Sequence, residues 1–142
     1  MLGKGIGLLA ILVIVASITP VFALTELERA SIDNPSLVNA FGAPVGNKIN
    51  VDQQIQIASD ITNHQEKSQK FNYLVQVKDS EEIIVKVAWF SGELNPHQKW
   101  NTSVFWVPEN AGEFTAEIFV WEGFPVNHKA LADYVSIQIS VS

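Results

Sequence analysis

The feature that most constrains this chain is a two-residue alternation of side-chain character, repeated in run after run from about residue 37 to the end. Successive side chains on a strand point to opposite faces, so this pattern fits a sheet with one side against a core. It does not make the 3.6-residue stripe of an amphipathic helix. In IQIASDI, Ile55, Ile57, Ser59 and Ile61 share one face, and Gln56, Ala58 and Asp60 share the other. In FNYLVQVK, Phe71, Tyr73, Val75 and Val77 lie opposite Asn72, Leu74, Gln76 and Lys78. The stretch IIVKVAWF sets Val85, Val87 and Trp89 against Lys86 and Ala88. WNTSVFWV, FTAEIFVW and YVSIQISV follow, and an early strand is expected near Leu37–Phe41 or Ile49–Val51, making about seven.

The separators between these runs carry turn chemistry. Asn63-His64-Gln65-Glu66, Asp79-Ser80-Glu81-Glu82, Asn95-Pro96, Pro108-Glu109-Asn110-Ala111-Gly112 and Gly123-Phe124-Pro125 each interrupt the pattern. Asn and Asp bond their own backbone, Pro presets φ, and Gly permits positive φ. About seven short strands in roughly 100 residues predict an all-β fold, an antiparallel immunoglobulin-like β-sandwich. There is no cysteine, so the inter-sheet disulfide of antibody domains is absent and a fibronectin-III-like sandwich fits better. Helical spacing survives in the last loop, around His128–Asp133.

Ahead of the strands lies a different kind of segment. Lys4 precedes an apolar run from Ile6 to Val15, extending to Ile18, followed by Thr19-Pro20 and Val21-Phe22-Ala23. A basic start, an apolar middle and a small-residue ending are the parts of a secretory signal peptide. Pro20 stops the run short of the ~20 apolar residues that a membrane span needs. Residues 1–23 are therefore expected to be a signal peptide or membrane anchor, 24–36 a polar spacer with a helical turn at Glu26–Ala30, and 37–142 the sandwich. Lys4-Gly5 before Ile6 also resembles the processing site of archaeal pilins and archaellins, which makes a filament subunit the alternative assembly.

Charge narrows the partners. Lys4 is the one charge in residues 1–23, so a net charge of −6 becomes −7 once that lysine is set aside. Such a balance excludes nucleic acid, which needs clustered Lys and Arg, and disfavours an anionic lipid surface. Any membrane contact runs through the N-terminal segment alone. The absence of Cys removes thiol nucleophiles, thiolate zinc sites and iron–sulfur clusters.

Several stretches resemble small exported immunoglobulin-like modules of ammonia-oxidising archaea (Thaumarchaeota). They are NPSLVNAFG at 34–42, VDQQIQIASDITN at 51–63, FNYLVQV at 71–77, Leu94-Asn95-Pro96, GEFTAEIFVW at 112–121 and IQISV at 137–141. The layout is also similar to the cell-adhesion-related domain found in bacteria, with its strand-ending Asn, Leu-x-Pro turn and Gly-x-aromatic strand opening. The resemblance covers roughly residues 34–142 and implies a sandwich fold and an extracellular or cell-surface location. Phe114 stands where related sandwiches often place Tyr, so no hydroxyl-to-backbone corner bond forms there.

Catalytic chemistry finds little footing. His64, His97 and His128 fall in turns or loops, without the spacing that presents two ligands to zinc from one element. No G-x-S-x-G elbow exists, Glu81-Glu82 sits at a hairpin tip, and no EF-hand or phosphate loop is present. Weak calcium binding by scattered loop carboxylates and a triad assembled from distant loops stay open. No cofactor is expected. Asn101-Thr102-Ser103 is the usable glycosylation sequon, because Pro35 blocks Asn34-Pro35-Ser36.

The aromatic residues point to binding instead. Ile57, Val75, Trp89, Phe114, Ile118 and Ile139 are expected in the core, with Trp106. If Phe114, Ala116, Ile118 and Val120 face inward, then Phe119 and Trp121 face outward. In an immunoglobulin-like order they approach Leu74 of the neighbouring strand. Leu74, Phe119 and Trp121 form the candidate contact stripe, covered either by the 123–133 loop or by a partner. The expected function is a non-catalytic exported module contacting a protein or another cell-envelope component, with homo-oligomers possible. A small extracellular hydrolase or metal-binding protein is the remaining alternative.

Overall fold

The computed structural model describes residues 23–142. The expected signal or anchor segment, apart from Ala23, lies outside the described residues. The elements are a 3₁₀ turn at Glu26–Glu28, then β1 (Ala30–Val38), β2 (Lys48–Ile49), β3 (Ile55–Asn63), β4 (Gln69–Asp79), β5 (Ile84–Leu94), β6 (Lys99–Trp106), β7 (Gly112–Trp121) and β8 (Val135–Val141). They form two facing sheets, a three-stranded one in the order β1-β3-β6 and a five-stranded one in the order β2-β8-β7-β4-β5. The chain is thus an all-β immunoglobulin-like sandwich, with eight strands where about seven were expected. All pairings are antiparallel except that of two-residue β2 with β8, which is parallel.

Alternation places the core. Ile55, Ile57, Ser59 and Ile61 of β3 meet Phe71, Tyr73, Val75 and Val77 of β4 and Phe114, Ala116, Ile118 and Val120 of β7, all buried. At ~25 cal/mol per Å² of apolar surface, this interleaved layer is the main source of stability in a chain without disulfides. The polar members of the layer satisfy each other: Ser59 Oγ and Tyr73 Oη lie 2.9 Å apart. Burial pushes the Tyr73 phenol up to about 12, against the opposing pull of that hydrogen bond. Phe114 packs edge-on against Trp106, with ring centres 5.2 Å apart.

Asn63 ends β3 for a physical reason. Its buried amide donates to the carbonyls of Lys67 at 2.8 Å and Asn95 at 3.1 Å, and its Oδ1 accepts from the Gln65 backbone at 3.1 Å. One side chain therefore fastens two loops at the same end of the sandwich. Asp79 does comparable local work, its Oδ1 accepting from the backbone N–H groups of Glu81 and Ile83.

Three expectations are corrected. The stretch 24–36 is not all spacer: β1 begins at Ala30 and buries Ala30, Ile32 and Leu37. Its strand character is masked by Asn34 at φ 50° and by Pro35, where the register with β3 shifts. Trp89 is not core. It is 51% exposed, because Lys86, Ala88, Phe90, Gly92 and Leu94 take the inner face of β5. The segment around His128–Asp133 is not helical. It runs back along the end of β7, where Leu131 N–H donates to the Val120 carbonyl and Ala30 N–H to the Leu131 carbonyl. That docking buries Leu131 completely.

Candidate interaction surface

The outer face of the five-stranded sheet is set by the registers around β4. Leu74 sits opposite Trp89 of β5 on one side and Phe119 of β7 on the other. Because Ile118 pairs with Val135, Phe119 comes level with Tyr134, and the two rings stack with centres 5.2 Å apart and planes at 25°. Trp89, Leu74, Phe119 and Tyr134 thus form one apolar row across the sheet. Trp89 and Tyr134 are exposed, while Leu74 and Phe119 are half-buried between them. Phe124, from the loop after β7, stands edge-on against Trp89 with ring centres 4.5 Å apart and remains 44% exposed.

Trp121 lies in the next row, opposite Asn72, and bridges to Ala130. It is half-buried, so the loop covers it in part and leaves it in part open. Asn72 is 1% exposed; its Oδ1 accepts from Ser91 Oγ at 3.2 Å, and its Nδ2 has no hydrogen-bond partner. The 122–134 segment supplies Phe124 and Tyr134 to the row rather than hiding it.

On the other side of the row the surface turns polar. Val87 is followed across the sheet by Gln76, Glu117 and Ser136. Gln76 Nε2 donates to Glu117 at 3.0 Å, and Lys78 Nζ lies 3.0 Å from the same oxygen. Burial pushes the Glu117 pKa up, but the hydrogen bonds from Gln76 and Lys78 and the lysine's charge outweigh it, leaving the carboxyl below its ordinary value.

The opposite face of the sandwich differs in kind. On the three-stranded sheet Asp60 accepts hydrogen bonds from Asn34 Nδ2 at 3.0 Å and Asn101 Nδ2 at 2.9 Å, with Lys99 Nζ 3.3 Å away. The two amides, with a lesser contribution from Lys99, hold the Asp60 carboxyl below its usual value. Ser103 donates to Gln56 at 2.7 Å in the same layer. Asn101, the sequon residue, is exposed on this polar face. His64 and His97 bond to Ser31 and Glu66 at the end of the sandwich. Among the described residues no group of three His, Cys, Asp or Glu side chains gathers around a common point.

Of the expected contact residues, Leu74 and Phe119 are direct neighbours, and Trp121 is offset by one row. Trp89, Tyr134 and Phe124 were missed. The alternation in IIVKVAWF has apolar members on both faces, so it could not choose the side for Trp89. Tyr134 is traceable in the sequence only by pairing Phe114 with Ile139 and counting back along the two strands.

An immunoglobulin-like β-sandwich with an apolar row across the outer face of its five-stranded sheet is the class of protein that this fold and surface define. No family model matches the chain, and no curated protein matches it. Solved structures do. The chain is similar to the C-terminal domain of Wzt, at a TM-score of 0.68 and 13% identity over 83% of this chain and 76% of that one. It is also similar to the CARDB domain of the PF1109 protein of Pyrococcus furiosus, solved in complex with di-metal ions. There the TM-score is 0.57 and the identity 11%, over 84% of this chain and 97% of that one. A cycloisomaltooligosaccharide glucanotransferase of Paenibacillus, complexed with cycloisomaltoheptaose, contains a similar unit. It scores 0.55 at 14% identity, over 82% of this chain but 14% of the enzyme. These likenesses show the fold, including that of the cell-adhesion-related domain expected from the sequence.

Proposed function

We propose that this chain is a non-catalytic binding module, exported and held at the cell surface or released, that contacts a protein of the cell envelope through the apolar row of its five-stranded sheet. The observation that carries this reading is the row itself. Trp89, Leu74, Phe119 and Tyr134 lie side by side on an outer face, while the other outer face ties its polar groups to one another. Leaving aromatic area wet forgoes ~25 cal/mol per Å², and contiguous exposed apolar patches mark interaction sites. Trp and Tyr are favoured at interface centres because one rigid ring covers much area. The N-terminal sequence supports export, and the acidic net charge suits an extracellular protein contact.

The test is co-sedimentation of the chain with isolated cell envelopes, before and after protease treatment of the envelopes. Binding that is lost both with protease and with the Leu74→Lys/Phe119→Ser pair, in a variant that keeps its far-ultraviolet spectrum, supports the reading. Binding that survives either treatment refutes it.

A further inference from the structure

A sandwich has four sheet edges, and three of them here are guarded or polar. β2 ends the five-stranded sheet with two residues. β1 is broken by Pro35, by Asn34 at φ 50° and by the register shift between Asp33 and Ser36. Short strands, Pro and irregularities are the usual defences of an edge. The outer face of β6 carries Lys99, Asn101 and Ser103, already bonded to Asp60 and Gln56, and Phe105, whose ring lies under Lys86 of β5.

β5 is regular from Lys86 to Leu94, and its one irregularity is a register shift against β4 at its start, where Val85 is left out of the ladder between Ile84 and Lys86. It is 11 residues long, contains no Pro, and among the described residues pairs with β4 alone. Its charged side chains are Lys86 and Glu93, and Lys86 is turned away onto the Phe105 ring, 4.9 Å from its centre. Ile84, Val85, Val87 and Trp89 are each about half exposed along it. A long, apolar, unpaired edge is a template for another strand.

The geometry points to a second copy of this chain as the occupant: β5 of one molecule pairs antiparallel with β5 of the next, joining two five-stranded sheets into one of ten strands. The strand is complementary to itself. With the two-fold axis at Ala88, Val87 of each copy faces Trp89 of the other on the outer side, an aromatic and β-branched pair of the kind that stabilises sheets. The two-fold closes the assembly at two copies, so the exposed edge is used up rather than propagated into a fibre. Across the seam the apolar row of each copy ends on Val87 of the other, beyond which that copy's surface turns polar at Gln76 and Glu117. The contact of one strand edge is at most on the order of 1,000 Å², at the low end for specific interfaces, which makes the dimer dependent on concentration.

Sedimentation velocity of the purified full chain, from about 1 μM to about 500 μM, should show a monomer–dimer equilibrium. Val87→Lys, on a half-exposed side chain, should raise the dissociation constant at least ~10-fold, about 1.4 kcal/mol, with the melting temperature kept. The chain has no cysteine, so Ala88→Cys should give a disulfide-linked dimer on mild oxidation, since directly opposed strand residues lie within disulfide reach. Asn101→Cys, on the polar face, should not. A monomer at the highest concentration overturns the pairing. So does a dimer indifferent to Val87→Lys, or cross-linking at position 101 as fast as at position 88. Leu74 lies one strand inside the edge, so loss of envelope binding on its substitution, with dimerisation intact, separates this pairing from the proposed partner contact.

Discussion

Gly92 lies on the inner face of β5, and replacing it by Ala tests the packing of the sandwich's open side. No positive φ demands glycine there; space does. A methyl built on Gly92 meets Phe71 Cζ at 2.8 Å and Cε1 at 2.9 Å, and Trp100 Cζ3 at 3.2 Å. Phe71 is fully buried and held edge-on by Phe90 and Trp100, with ring centres 6.1 and 5.9 Å away. The ring therefore has no free direction in which to retreat. Overpacking of this sort costs ~1–3 kcal/mol, and the entropy gained by removing a glycine from the unfolded chain returns ~0.4–1 kcal/mol. Gly92→Ala should thus destabilise by ~1–2 kcal/mol net, seen as a lower urea midpoint at unchanged m-value. Phe71→Leu in the same chain should relieve the clash, so the double-mutant cycle should show a favourable coupling of at least ~0.5 kcal/mol. A Gly92→Ala variant as stable as the wild type, or strictly additive with Phe71→Leu, would refute the tight contact between β5 and the ring beneath it.

Three further outcomes follow from the packing and charges of the sandwich. Phe114→Ala, which empties the site against Trp106 at a residue 7% exposed, should cost ~3–5 kcal/mol by chemical denaturation; a loss under ~1 kcal/mol would contradict the inward register of β7. Asn72→Leu removes a buried donor that has no partner together with the bond that Asn72 Oδ1 accepts from Ser91, and the two offset, so stability should stay within ~1 kcal/mol of wild type, with a fall of ~2 kcal/mol or more counting against the placement. Asp60, Glu117 and Glu122 all titrate below their ordinary values of 3.8, 4.5 and 4.5 in the folded protein, Glu122 chiefly through its hydrogen bond from Arg29. Their stabilisation is present above those values and lost as pH falls through the lower folded ones. The melting temperature should therefore be flat from about pH 7 to 5 and drop below about pH 4, less steeply in Glu117→Gln.

The inner faces of β3, β4 and β7 were legible because each alternates cleanly, with large apolar residues on one side and mostly polar ones on the other. β5 was not, since Val85, Val87 and Trp89 compete with Ala88, Phe90 and Leu94 for the core, and an edge strand has a neighbour on one side only to decide the matter. β1 was hidden by Asp33, Asn34 and Pro35, which read as loop; its strand exists because β3 pairs with it and Leu131 caps its first residue. The candidate surface was half legible. Leu74 beside Phe119 follows from ordinary immunoglobulin-like strand order. Tyr134 and Phe124 reach the row through the path of a loop, which no local pattern encodes.

The placement of β1 and β8 bears on how the domain behaves under tension. Ala30 pairs with Asn63 at one end of the sandwich, while Val141 pairs with Gly112, and Ser142 with Val51, at the other. A pull applied between residues 30 and 142 therefore runs along both terminal strands, drawing β1 lengthwise past β3 and β8 lengthwise past β7. Loaded in shear, the hydrogen bonds of each ladder share the force and yield together, instead of peeling one after another. Stretched between these two points, the domain is a stiff link whose resistance to extension exceeds what its equilibrium stability alone would suggest.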